Sequence, residues 1–285
     1  MTLKDNQIIR EAKTLKMPWG LLILYYVIYL LSFVAGQMIM MRFVTTDRIL
    51  SLLGACVITT SILLLFVMRV GKRSLKSLGM QNQNVLKNLF LGWLIGAISL
   101  LLIWGINWLF GGVRFDFNSN FNILLFLLLF VGFTVQGFME EFLLRGLIFT
   151  QISVKWGVIS AIIINSVWFA LGHTSNSNAS FISTVNTFLM AVLLSLMFYY
   201  HENIWIISGL HSGWNFILGG VLGVTVSGFK MPTSLLETGI VENRIFLNGG
   251  LYGFEASYLV TAMMLGGIIW YVIILKKNIS DKAQG

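Results

Sequence analysis

Residues 121–150 read FNILLFLLLFVGFTVQGFMEEFLLRGLIFT. The run is longer than the about 20 apolar residues that cross a hydrocarbon core, yet it keeps Glu140, Glu141 and Arg145. A charged side chain at the centre of a span costs about 2.5–3.5 kcal/mol on insertion scales, and residues retained there face the bundle interior, where they pair, transport or do chemistry. The stretch predicts a membrane helix that carries function.

The rest of the chain has the same character. Of its 285 residues 57% are hydrophobic and 11% charged, against roughly 45–50% and 25% in soluble domains, so lipid is its solvent and no large soluble catalytic domain fits. Further apolar runs lie at 19–41, 49–69, 89–110, 157–172, 181–200, 205–227 and 257–275. The first is too long for a signal-peptide core and has no small-residue cleavage site after it, so it reads as a retained span. Pro18 and Pro232 both fall outside the runs, and no segment alternates as a membrane barrel would. The fold class is all-α, a polytopic membrane protein with about eight transmembrane helices in one bundle. Residues 1–18 form a basic segment, 19–275 the bundle, with 131–257 carrying the polar motifs, and 276–285 a tail.

A net charge of +8 does not point to nucleic acid, because the charges flank apolar runs. With both termini inside, Lys4, Arg10, Lys13, Lys16, Lys72, Arg73 and most other cations collect on the cytoplasmic side, and only Arg42, Arg48, Arg114, Lys230 and Arg244 fall outside. That is the positive-inside pattern. The one cysteine, Cys56, lies within an apolar run, which excludes a disulfide framework, a cysteine zinc site and an iron–sulfur cluster.

Costly residues recur in three places: Glu140, Glu141 and Arg145; His173; His211 with Asn215. The third histidine, His201, adjoins Glu202 in a short polar connection and reads as solvated. A helix turns 100° per residue, so only positions three or four apart share a face. Glu141 precedes Arg145 by four, the favourable orientation for an ion pair, which leaves Glu140 as the carboxylate without a partner on its helix. Phe169 and His173 share a face, and so do His211 and Asn215.

These residues carry a resemblance. Glu140-Glu141-Phe142-Leu143-Leu144-Arg145 resembles the E-E-x-x-x-R motif of the CPBP family, the CAAX protease and bacteriocin-processing (Abi) intramembrane peptidases. Phe169 to His173 is similar to its F-x-x-x-H motif, and His211 to Asn215 to its H-x-x-x-N motif, with Phe216 completing the W-N-F triplet of bacterial members. Glu255, in a G-F-E-A-S context, resembles the glycine- and glutamate-containing segment before the last helix. The likeness runs from about Val131 to the C-terminus. Leu144 departs from it, since an aromatic is usual there.

The resemblance implies an intramembrane glutamic endopeptidase acting on a membrane-associated peptide or protein. Glu140, helped by His173, takes a proton from the attacking water, and burial lets the carboxyl return it to the leaving amine. His211 and Asn215 offer N–H donors to the developing oxyanion. Glu141, Arg145, Phe169 and Glu255 support the set. No cofactor is required by this scheme. A divalent metal such as zinc stands as the alternative, held by Glu140, His173 and His211, the ligand set of a catalytic zinc with one open position. H-E-x-x-H and G-x-S-x-G are absent, so zincin and serine-nucleophile readings lack support. Two other classes stay open: a catalytically silent bacteriocin-immunity or scaffolding protein, and a proton-coupled transporter, which predicts internal repeats that the chain lacks.

Depth leaves a question. At 1.5 Å per residue, Glu140 lies roughly 22 Å from Lys155 along the chain and His173 roughly 27 Å, but His211 only about 12 Å after Asn203. Either the seventh helix begins deeper than hydropathy suggests, or the site lies nearer the cytoplasm.

Overall fold

The computed structural model describes residues 6–15 and 18–284. Lys4 and Lys16, counted above, lie outside the described residues, as does the side chain of Lys282. The elements are α1 (Gln7–Lys13), α2 (Trp19–Phe43), α3 (Arg48–Arg69), α4 (Val85–Leu109), β1 (Val113–Phe117), α5 (Ile123–Glu141), α6 (Thr150–Trp156), α7 (Val158–His173), α8 (Phe181–His201), α9 (Ile204–Phe216), β2 (Leu236–Ile240), α10 (Ile245–Asn248) and α11 (Tyr258–Gln284). A π-helical segment, Phe142–Phe149, joins α5 to α6, and another, Ile217–Val221, continues α9.

Among the described residues six helices are long and apolar enough to cross a membrane: α2, α3, α4, α5 continued through α6, α8 and α11 as far as Lys277. The chain is an all-α polytopic membrane protein. The remaining apolar runs are helical but shorter, α7 with 16 residues and α9 with 13 before its π segment. Helix starts follow local chemistry. Asp47, Asn122 and Asn203 accept from the backbone of Leu50, Leu125 and Trp205 at 2.9, 3.0 and 2.8 Å, and Ser180 and Ser183 form a capping box at the head of α8, each satisfying orphan N–H groups of a first turn. The departure from the all-helical reading is one antiparallel ribbon, β1 against β2, pairing Val113 with Ile240 and Phe117 with Leu236. It lies in the two connections that hydropathy leaves unassigned.

The bundle is built around α9. Every residue from Ile206 to Gly220 is buried, and α4 and α5 flank it because glycines let backbones meet. A Cβ on Gly92 or Gly96 would stand 1.9 or 2.4 Å from the Ile206 or Leu210 carbonyl oxygen, and one on Gly209 or Gly213 would strike the Leu89 or Trp93 carbonyl. Two G-x-x-x-G faces therefore interlock, the close approach that small residues give membrane helices. On α5, a Cβ at Gly137 would lie 2.4 Å from Ser212 Oγ. That approach brings Glu140 and Glu141, one turn on, against α9.

The start of α9 is covered, which answers the question of depth. Ile204 N–H donates to the Gly79 carbonyl at 2.9 Å, Trp205 Nε1 donates to the Gln81 carbonyl at 2.8 Å, and Asn6 Nδ2 donates to the Tyr199 carbonyl at 2.9 Å. Ile8, Ile9 and Ala12 of α1 are buried alongside. The seventh hydrophobic helix begins beneath this layer, so eight residues from Asn203 suffice to bring His211 level with Glu140.

Candidate functional site

Glu140 and Glu141 end α5, and the helix widens into its π segment immediately after them. The second motif helix does the same, since α9 turns π two residues after Asn215. Single π turns inside α-helices are frequent at functional sites. Here they bracket the two strongest polar motifs.

The adjacent glutamates point apart, as a 100° rotation requires. Glu141 is fully buried. Its Oε1 accepts from Arg145 Nη1 at 2.9 Å and from His211 Nδ1 at 2.8 Å. Arg145, also fully buried, gives Nη2 to the Ala191 carbonyl of α8 at 3.0 Å. The expected Glu141–Arg145 pair is thus half of a larger unit, which also holds a histidine. A carboxylate can only accept, so His211 presents N–H from Nδ1 and turns Nε2 the other way.

Nε2 faces Glu140 Oε2 at 3.7 Å. Glu140 is partly exposed, its side chain at 18%, and Oε2 has no hydrogen-bond partner among the described residues. Its other oxygen, Oε1, accepts from Gln136 Nε2, and Gln136 Oε1 accepts from Asn215 Nδ2 at 2.9 Å. Asn215 therefore sits one link from Glu140, on the same side of the cavity as His211, and keeps a second N–H on Nδ2. Sequence reasoning missed Gln136. The available signal was a carboxamide four residues before Glu140 in an otherwise apolar run.

His173 closes α7. Its Nδ1 lies 2.9 Å from the Phe169 carbonyl, which can only accept, so Nδ1 carries the hydrogen and Nε2 is left for other partners. Phe169 packs between the polar groups: its ring is 4.5 Å from that of His173, 6.1 Å from that of His211, and 5.5 Å from the Arg145 guanidinium carbon. Glu255, just before α11, accepts from Trp214 Nε1 at 3.2 Å and from Ser227 N and Oγ at 2.5 and 3.0 Å. Burial pushes its carboxyl above the usual range, offset in part by Ser227, His173 and Trp214. Tyr252 nearby is pushed up to about 12, first by burial and then by the Glu255 charge.

Glu140, His173, His211, Asn215, Gln136 and Glu255 all line one cavity of about 390 Å³. Its remaining wall is largely apolar and aromatic, including Tyr26 and Tyr29 of α2 and Trp168 of α7, and buried Cys56. His201 lies away from it, bonded to the Tyr271 hydroxyl at 2.9 Å. As a zinc site the set fits poorly. Among the described residues no three His, Cys, Asp or Glu side chains are grouped to hold a metal ion.

Compared with known proteins, residues 122–217 match the family described as Type II CAAX prenyl endopeptidase Rce1-like. The match spans all three polar motifs, from the cap of α5 through Asn215. No curated protein matches the chain.

Proposed function

We propose, from the match of residues 122–217 to the Rce1-like family, that this chain is an intramembrane endopeptidase that hydrolyses a peptide bond of a membrane-associated peptide or protein. The observation that carries the reading is the unpartnered oxygen of Glu140, a buried atom that faces His211 Nε2 across 3.7 Å in a residue lining the cavity.

A water hydrogen-bonded to Glu140 Oε2 gives its proton to that oxygen as its own oxygen attacks the scissile carbonyl carbon. His173 Nε2, free to accept, assists the same proton transfer. The carbonyl oxygen takes up the electron pair and becomes an oxyanion, stabilised by the second N–H of Asn215 and by His211 Nε2 when that ring is protonated. Collapse restores the carbonyl and breaks the C–N bond, and the leaving nitrogen takes the proton from Glu140, which ends the cycle as a carboxylate. Glu141 and Arg145 hold His211 at its angle, and Phe169 separates the two histidines. No step needs a metal.

The aromatic and aliphatic wall suits a substrate with a large apolar part, and a prenylated C-terminal peptide is one such substrate. The charge asymmetry supports a membrane protein with both termini in the cytoplasm, and the W-N-F triplet resembles bacterial members of the family. The test compares peptides from membranes containing the wild-type chain with those containing Glu140→Gln, and follows two synthetic reporters, a farnesylated C-a-a-X peptide and its unprenylated counterpart. Products that appear only with the wild type are expected. Equal cleavage by Glu140→Gln would refute the mechanism.

A further inference from the structure

The geometry points to Gln136 as a positioning residue that links Asn215 to Glu140, an inference that rests on the reading of Glu140 as the base. A carboxamide has an acceptor end and a donor end. Asn215 Nδ2 donates to Gln136 Oε1 at 2.9 Å, so the acceptor end of Gln136 faces α9 and its donor end, Nε2, faces Glu140 Oε1, to which it donates. Gln136 and Glu140 are four apart on α5, which places them one above the other on the same face. The opposite orientation of the amide would set its oxygen against an oxygen of the Glu140 carboxylate. Asn215 and Glu140 therefore favour the same orientation of Gln136, and Asn215 anchors its far end.

The consequence falls on Glu140. Rotation about the last bond of a glutamate is broad and roughly two-fold, so an untethered carboxylate spreads its lone pairs over many directions. Holding Oε1 leaves Oε2 as the reactive oxygen and aims it at the space beside His211 Nε2. Loss of either end of the link acts in the same direction. Without Gln136 the carboxylate turns freely, and without Asn215 the Gln136 amide loses the anchor on its acceptor end and holds Glu140 Oε1 less firmly. Part of the effect of Asn215 on turnover is thus carried through Gln136, in addition to any contact with substrate.

Two measurements on the purified full-length chain test this. In the first, the Glu140 carboxylate stretch is identified in pH-difference infrared spectra as the band that Glu140→Gln lacks. It is expected to shift in Gln136→Met and, in the same direction, in Asn215→Leu. In the second, kinetics are read with the farnesylated C-a-a-X reporter. Gln136→Met is expected to lower kcat roughly ten- to a hundredfold, the range for a lost hydrogen bond to a charged group. KM should change by less than about threefold, the pattern of a lost transition-state interaction. Gln136→Glu keeps an acceptor for Asn215 but, when ionised, has no donor for Glu140, and at alkaline pH should fall with Gln136→Met. The double variant Gln136→Met/Asn215→Leu should be less impaired than the product of the two single effects, because the two residues share one path. An unmoved Glu140 band in Gln136→Met, or single effects that multiply in full, overturns the link. Full activity in Glu140→Gln overturns the base assignment instead, and the infrared band then decides the link by itself.

Discussion

Two carboxylates stand on the wall of the same cavity, and their surroundings differ. Around Glu140 one oxygen is held by Gln136 and the other has no hydrogen-bond partner among the described residues. Around Glu255 both oxygens are taken, one by the Trp214 indole and one by Ser227 twice. A base must keep a lone pair within reach of the proton it abstracts, and a carboxylate whose oxygens are both engaged acts through its charge and as a tie between elements. The first end of the cavity is the one that the proposed proton transfer uses. The second joins α9, the loop at Ser227 and the approach to α11. Glu141, beside Glu140 in sequence, is a third case: Arg145 and His211 share its Oε1, its Oε2 has no hydrogen-bond partner among the described residues, and its side chain is fully buried.

The largest effect that bears on this contrast is expected at Glu140. Glu140→Gln preserves shape and removes the proposed base, so turnover of the farnesylated reporter should fall by about 10² or more, with the melting temperature in detergent unchanged. A variant that kept its turnover would erase the distinction between the two ends. Arg145→Ala probes the sealed unit. Removing one partner of a buried pair strands the other and costs about 3–5 kcal/mol, so folded yield and thermal stability should drop, and wild-type stability would show that Glu141 is not held as a structural pair.

Glu255→Gln sharpens the other side of the comparison through pH. Burial raises this carboxyl above its ordinary 4.5, so its folded-state value exceeds its unfolded one. The resulting stability is fully present below the unfolded value and is lost as pH rises through the folded value. Thermal unfolding of the wild type measured against Glu255→Gln should therefore show the wild type at its relative best below about pH 4.5 and losing ground as pH rises through the folded-state value. A difference that grows with pH instead would reverse the assignment. The smallest effect concerns metal. Because no three His, Cys, Asp or Glu side chains are grouped to hold a metal ion among the described residues, exhaustive chelation should leave reporter cleavage unchanged, and elemental analysis should find no stoichiometric zinc. Stoichiometric zinc whose removal abolishes both activity and Glu140 dependence would replace the water-activation scheme with a metalloprotease one.

The sequence by itself determined the class of the molecule and the identity of most of its polar interior. Apolar runs in a chain with few charges have lipid as their solvent, and backbone groups in lipid must bond within their own helix, so hydropathy and length alone specify an all-α membrane bundle. Cost did the rest. Glu140, Glu141, Arg145, His173, His211 and Asn215 stood out because each is expensive where it lies. What only the tertiary structure decided is which of them meet. Helical spacing pairs Glu141 with Arg145 but says nothing of His211, 70 residues away and bonded to the same oxygen. It marks no part for Gln136, an ordinary carboxamide until Asn215 arrives from another helix to anchor it. Nor does hydropathy reveal that α9 begins beneath a cover made by α1 and the Gly79 turn. Local periodicity fixes the direction of a side chain around its own helix, whereas depth, rotation and partner are set by how closely two backbones approach, and here that approach depends on glycines whose missing side chains leave no hydrophobic signal.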